Sequence, residues 1–309
     1  MIILFFLYLL LKSTKSVVVT DKLFNKYGLA NQIMYFQYFL MEVKQKHNNA
    51  KLLINGPKSG HLENSYGNHS FSDFFRKRSI QECESLIHPQ NRTSICKGYC
   101  SLIKDAEDVH KGKIPKQAIS ISPPLQYCMP WPGRDLHSAK FCPEGSIPQL
   151  PFFFELFDFA PFIKNIGKKF LASHGLSFGK FTTVHFRVGD FKNRPWAKKK
   201  CYFTFEEVFK TANDTLSLMK MPSKIFFMVE HESDIPSGNL MLTKIWLADA
   251  MKELGLNAYI DSFDFIKLLV DLYIGSNAGL IIGNNMSTLS EILISYSYMN
   301  DKSLQYIVK

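Results

Sequence analysis

The chain has 309 residues and a mass of 35.5 kDa, too long for a small disulfide-held scaffold and long enough for two modest domains. With 46% hydrophobic and 21% charged residues it has the make-up of a folded globule, which excludes a disordered or fibrous protein. Lys and Arg outnumber Asp and Glu by 37 to 27, a surplus that attracts anions of any kind, from nucleic acid, membrane phosphates and sulfated glycans to a nucleotide diphosphate.

The chain starts with an unbroken apolar run, Ile2 to Leu11, followed by Lys12 and the small residues Ser13, Thr14 and Ser16. Ten residues of helix rise about 15 Å, half the hydrocarbon thickness of a bilayer. Residues 1–16 therefore read as a cleaved signal peptide or short anchor, with Thr14 and Ser16 at the −3 and −1 positions; a buried first element is the alternative. Sequons at Asn68, Asn91, Asn213 and Asn285 point to the secretory lumen, ER or Golgi, or to secretion. Cys83, Cys96, Cys100, Cys128 and Cys142 cluster in one loop-rich span and Cys201 lies apart. Six cysteines can pair fully, and disulfides suit a poorly cored segment. Zinc on Cys96, Cys100, Cys128 and Cys142 is the alternative, but those spacings are irregular for a zinc site.

Elements follow in order. Val17–Val19 reads as a strand, Asn31 to Lys46 as a helix and Lys51–Ile54 as a strand. From 47 to about 150 the sequence is rich in Gly, Pro, Ser and Cys, with little periodicity. From about 180 the pattern is regular: strand Phe181–Val188, helix Phe203–Lys220, apolar strand Lys224–Val229, helix Asn239–Leu254, short strand Ala258–Ile260, helix Asp261–Ser276, a last strand Leu280–Ile282 and a last helix Thr288–Tyr298. Strands alternating with helices of this length predict an α/β protein with parallel, doubly wound sheets. We expect two Rossmann-like lobes facing a central cleft, residues 17–165 and 166–309, the first carrying the Cys-rich insertion.

Ligands in such sheets bind beyond the C-terminal strand ends. Three segments meet that condition. In Val184-His-Phe-Arg-Val-Gly-Asp190, residues two apart share a face, so His185 and Arg187 point one way while Val184, Phe186 and Val188 enter the core. Arg187 then presents a permanently charged fork suited to phosphate, and Gly189 permits a turn capped by Asp190. A surface strand whose arginine pairs with a carboxylate is the plainer alternative. Ile281-Ile-Gly-Asn-Asn-Met-Ser-Thr-Leu-Ser290 runs strand, turn, hydroxyl pair, helix. Its helix start offers free N–H groups and a positive dipole end, joined by the Ser287 and Thr288 hydroxyls; simple N-capping is the alternative. In Tyr27-Gly-Leu-Ala-Asn-Gln32, Gly28 lets backbone approach a ligand, and Asn31 is expected to cap the helix and offer its amide. No Gly-x-Gly-x-x-Gly, Walker, Asp-x-Asp or Gly-x-Ser-x-Gly pattern occurs, so dinucleotide, ATP, metal-diphosphate and serine-hydrolase readings lose their main support. What remains is a diphosphate held by arginine and a helix dipole, with no metal.

Gly28-Leu-Ala-Asn31-Gln32, His185-Phe-Arg187-Val-Gly189-Asp190 and Gly283-Asn-Asn-Met-Ser287-Thr288-Leu289, in this order, resemble the motifs of the fucosyltransferase superfamily that uses GDP-fucose. Val270-Asp-Leu-Tyr-Ile274 is similar to the matching stretch of protein O-fucosyltransferases, and the first two motifs resemble α1,2-fucosyltransferases as well. Leu289 stands where the family usually has Phe. The resemblance implies a GT-B-like fold and inverting, metal-independent transfer of L-fucose from GDP-fucose to a protein Ser/Thr hydroxyl, with no cofactor. It implies that Arg187 and the Ser287/Thr288 turn hold the β-phosphate, that His185 orients sugar or phosphate, and that Asp190 steadies the turn or Arg187. Asp271 would lie near guanine, Gly28 near the ligand, and Asn31 would position the acceptor, a secretory glycoprotein or glycan. An α1,2-type enzyme acting on a glycan is one alternative. The other is an inactive secreted glycan- or heparin-binding relative, for which the basic run 191–200 speaks. Nucleic acid is not expected as a partner, and membrane contact is expected only through the N-terminal segment.

Overall fold

The computed structural model describes residues 18–21, 28–59, 62, 65–86, 93–109, 115, 116, 118–121, 152–187, 203–219, 224–229, 244–284, 287–300 and 305–308. The expected leader at 1–16, the sequons at Asn91 and Asn285, and Cys128, Cys142, Asp190, the basic run 191–200 and Cys201 lie outside these residues.

Two four-stranded, wholly parallel sheets carry the chain. The first has the order β4-β2-β1-β5, with β1 Val18–Asp21, β2 Lys51–Ile54, β4 Glu107–Asp108 and β5 Ile119–Ile121. The second has the order β10-β9-β7-β8, with β7 Thr182–Phe186, β8 Ile225–Val229, β9 Leu280–Gly283 and β10 Gln305–Val308. This is the two-lobed parallel α/β architecture expected from the alternating pattern. Helix α1 (Leu29–Lys46) follows β1 in the chain. It is buried almost all round, as a helix apolar on every face must be. Lys44 and Lys46 complement the dipole at its C-terminal end.

Between the sheets lies a unit that the aperiodic reading of 47–150 did not foresee. Helix α2 (Phe71–Phe74) runs straight into β3 (Phe75–Lys77), and helix α5 (Phe153–Leu156) into β6 (Phe157–Phe159). The two strands pair antiparallel, Phe75 opposite Phe159 and Lys77 opposite Phe157. Both short helices start on the same device, an acid that takes the backbone N–H three residues earlier: Asp73 takes that of Ser70 at 2.7 Å and Glu155 that of Phe152 at 3.0 Å. Much of the phenylalanine is spent here. Phe71, Phe74, Phe75, Phe153, Phe154, Phe157 and Phe159 are all buried, with edge-on contacts such as Phe75–Phe153 at 5.2 Å between ring centroids.

Helices α3 (Ile80–Ser85) and α4 (Thr93–Ile103) are held by the Cys83–Cys96 disulfide. This bond uses one of the four sulfurs of the zinc alternative. The expectation that all six cysteines pair is corrected: Cys100 is a buried free thiol, its sulfur within 4.8 Å of those of Cys83 and Cys96. Helix α6 (Pro161–Ser173) precedes β7 and packs on helix α9 (Phe263–Gly275). Helix α7 (Phe205–Met219) covers one face of the second sheet, where Ala212 and Leu216 meet Val184, Phe186, Phe227 and Ile282. Helix α8 (Lys244–Glu253) precedes Asn257–Ser262, a 3-10 turn rather than the short strand expected at Ala258–Ile260. Helix α10 (Thr288–Asn300) packs on α1. The last strand is β10, not Leu280–Ile282. Among the described residues no helix is long and apolar enough to cross a membrane.

Candidate functional site

The site is built where β7 and β9 end side by side. Their register pairs Thr182 with Leu280 and Val184 with Ile282, so His185 and Arg187 emerge at the level of Gly283 and Asn284. A cleft opens there, lined by His185, Phe186, Arg187, Gly283 and Asn284. Its remaining wall comes from the start of α7, including Glu207 and Thr211. The alternation read from the sequence holds. Val184 and Phe186 enter the core under α7, while His185 turns to the opposite face. That face is closed as well, by α10. The strand is buried at every residue, which overturns the alternative of a surface strand.

His185 is 6% exposed. Its Nδ1 lies 2.7 Å from Ser290 Oγ on α10, and the same Oγ accepts the backbone N–H of Asn284 at 2.9 Å. Burial first, and the Arg187 guanidinium second, push the imidazole pKa down to about 3, so the ring is neutral at physiological pH. Gly283 makes the three-way contact possible. A Cβ there would sit 2.9 Å from Ser290 Cβ and Oγ, closer than packed carbons approach.

Glu207 and Ser290 belong to this site and are absent from the sequence reading. Thr204-x-x-Glu207 carries a legible signal: Glu207 Oε2 accepts the Thr204 N–H at 2.7 Å and Thr204 Oγ1 accepts the Glu207 N–H at 3.3 Å, a capping box. It fixes the carboxylate at the mouth of the cleft that Arg187 also lines. Ser290 had no local signal, because its role depends on a strand 105 residues away.

Other expected site residues fall elsewhere. Ser287 and Thr288 open α10 as expected, Ser287 buried and Thr288 half-buried; neither lines the cleft, whose β9 wall ends at Asn284. Asp271 is buried inside α9, its Oδ2 2.7 Å from Lys267 Nζ. Lys267 in turn donates to the Val229 carbonyl at the end of β8. Asp271 thus sits behind the C-terminal edge of the sheet, away from the cleft. Gly28 and Asn31 lie in the first lobe, at the start of α1. The expected cap is corrected: the helix begins at Leu29 with Gly28 in the N-cap position and no side-chain cap. Asn31 therefore stands inside the first turn, and its Oδ1 is buried with no hydrogen-bond partner among the described residues. Nearby chemistry not anticipated from sequence is Asp21, closing β1. Its carboxylate accepts the N–H groups of Asn55 at 2.6 Å and Gly56 at 3.0 Å, tying the ends of β1 and β2. Gly56 turns there at φ +75°, a conformation suited to glycine. Burial raises the Asp21 pKa to about 6 against those hydrogen bonds and Lys58.

No protein-family profile matches the chain, and no curated protein matches it in sequence. Solved structures similar to it include POFUT1 in complex with GDP, at 13% identity and a TM-score of 0.49 over 95% of this chain and 98% of the other. The NodZ alpha-1,6-fucosyltransferase co-crystallised with GDP is similar at 15% identity and a TM-score of 0.48, over 91% and 92%. Fucosyltransferase NodZ from Bradyrhizobium is similar at 14% identity and a TM-score of 0.45, over 91% and 93%.

Proposed function

We propose that the chain is an inverting, metal-independent glycosyltransferase that moves L-fucose from GDP-fucose to a serine or threonine hydroxyl of a protein acceptor. The observation that carries the reading is the delivery of His185 and Arg187 by one buried strand into a cleft shared with Gly283 and Asn284. These residues belong to two of the three segments that resemble GDP-fucose enzymes.

The chemistry follows from charge. As the bond between fucose and the β-phosphate breaks, negative charge grows on the diphosphate. Donors fixed in advance stabilise that charge more in the transition state than in the ground state. Arg187 supplies a full positive charge and a two-pronged donor. The start of α10, with the Ser287 and Thr288 hydroxyls, is the assigned source of further N–H and hydroxyl donors to the diphosphate. Gly28 and Asn31 serve the acceptor side, Asn31 through its side-chain amide. Asp190, which lies outside the described residues, is the expected support of Arg187 or its loop, while Asp271 is committed to Lys267 and is given no contact with the donor. Residues 17–165 act as acceptor lobe and 166–309 as donor lobe. Residues 1–16 direct the chain to the secretory lumen, in keeping with exposed sequon asparagines at Asn68 and Asn213.

Release of fucose from GDP-fucose in excess EDTA tests this directly, with Arg187→Ala expected to lower turnover by about 10²–10³-fold, as for loss of an oxyanion donor. Product analysis with EGF-like, thrombospondin-like and galactoside acceptors assigns the acceptor, and a folded protein domain is the expected one. A strict requirement for Mn²⁺, or a melting temperature raised by heparin and not by GDP, overturns the proposal.

A further inference from the structure

The geometry points to Ser290 as a positioning residue that fixes the tautomer of His185, making the imidazole a dedicated Nε2–H donor toward an anionic ligand in the cleft. The ligand half of this statement rests on the GDP-fucose reading; the tautomer half does not.

Proton accounting at one oxygen carries the argument. Ser290 is fully buried, and its Oγ meets two groups, the Asn284 backbone N–H at 2.9 Å and His185 Nδ1 at 2.7 Å. A backbone N–H only donates, so it occupies a lone pair of Oγ. The hydroxyl carries a single proton, and Nδ1 is the acceptor within its reach. Were Nδ1 protonated, Oγ would accept twice and its own proton would be stranded without a partner in a buried site, an arrangement that folded proteins avoid. The hydroxyl therefore donates to Nδ1, and the ring proton sits on Nε2. His185 borders the cleft, and the ligand half of the proposal is that its Nε2 edge, opposite Ser290, reaches the ligand.

Two consequences follow. A neutral ring that already holds its proton on Nε2 cannot take another from the acceptor at that atom, so His185 is no general base. It acts as a hydrogen-bond donor that adds no formal charge beside Arg187. Gly283 is the second support: any side chain there would displace the Ser290 hydroxyl from its bridging position.

Nitrogen NMR of the ¹⁵N-histidine-labelled chain tests the proposal, with the His185 signal identified by its loss in His185→Gln. In the free protein we expect an unprotonated Nδ1 and a protonated Nε2, and the Nε2–H signal to shift when GDP is added. Ser290→Ala is expected to give a mixture of tautomers and a kcat lowered by about 10- to 100-fold with KM little changed, the size of loss seen for the outer-shell partners of metal-ligating histidines. Ser290→Thr, which keeps the hydroxyl, is expected to restore the single tautomer. A protonated Nδ1 in the free wild-type protein overturns the assignment without any variant having to fold, and so does a tautomer unchanged in Ser290→Ala. The expected tautomer in a protein that neither binds GDP nor turns over GDP-fucose removes the ligand half and the proposed function with it, leaving Ser290 as the determinant of the tautomer.

Discussion

A histidine shut away from water beside an arginine must stay uncharged, and this has a measurable price in acid. His185 holds its pKa near 3 in the folded chain, whereas an unfolded histidine titrates near 6.5. Between those values the unfolded state binds the extra proton, so the His185 contribution to stability falls as pH falls from about 6.5 toward 3. Asp21 works in the opposite sense. Its folded pKa of about 6 lies above the unfolded value, so its contribution is lost as pH rises from about 4 to 6. The two slopes oppose each other in the wild type. We expect unfolding free energies, measured in denaturant from pH 4 to 7, to show His185→Gln gaining on the wild type by up to about 1.4 kcal/mol per pH unit as the solution is made more acid. Parallel curves for the two proteins would contradict a buried neutral His185. At this scale the sequence was a good guide wherever a residue acts through its own strand or turn. His185 and Arg187 follow from period-two alternation and from their place at a strand end. Ser290 and Asp21 act through partners brought close by folding and had no local signature, whereas Glu207 is held by Thr204 in a capping box that the sequence does show.

At the scale of elements the reading succeeded where hydrophobic periodicity is long and failed where it is short. Helix α1 and the strands β7, β8 and β9 stand within about two residues of expectation at most ends. Ala258–Ile260 is too short for periodicity to separate a strand from a turn of helix. The chain uses it as a docking turn, with Tyr259 stacked on His69 at 4.0 Å and the Ala258 carbonyl held by His69 Nε2. The β3–β6 pairing joins segments about 80 residues apart in the chain, which no local pattern can announce. The α3–α4 unit yields a prediction of its own. Burial first, with Glu155 nearby, pushes the Cys100 thiol up to about 11, leaving almost no reactive thiolate at neutral pH. Brief treatment of the native protein with iodoacetamide should leave Cys100 unlabelled, and peptide mapping should recover Cys83 linked to Cys96. Labelling of Cys100 as fast in the native as in the denatured protein would contradict this packing. On a chain-entropy basis the disulfide, closing a separation of 13 residues, contributes about 3 kcal/mol.

Across the whole molecule, one aromatic seam makes the two sheets a single unit. Phe74, fully buried, stacks on Tyr66 at 5.3 Å and meets Phe265 of α9 edge-on at 5.3 Å and Tyr259 at 6.0 Å. Asp158 adds a polar tie, joining Lys164 at 2.7 Å and the Tyr296 hydroxyl at 3.1 Å. Burial raises its pKa, but Arg78, Lys164 and Tyr296 together hold it below the ordinary carboxylate value. Truncating Phe74 to alanine should cost about 3–5 kcal/mol, and the wild type should unfold in one calorimetric transition. Two well-separated transitions, or a Phe74→Ala protein of unchanged stability, would contradict a shared core. The 27 phenylalanines of the chain suffice to predict a large core, whereas their concentration at the junction of the sheets depends on long-range pairing.

The central claim is that a guanosine diphosphate occupies the cleft at the ends of β7 and β9. Titration calorimetry with GDP in excess EDTA, on the wild type and on Arg187→Ala, tests it most directly. The account predicts saturable one-to-one binding by the wild type and at least a tenfold weaker affinity in the variant, about 1.4 kcal/mol or more; no binding by the wild type, or equal binding by both proteins, would contradict it.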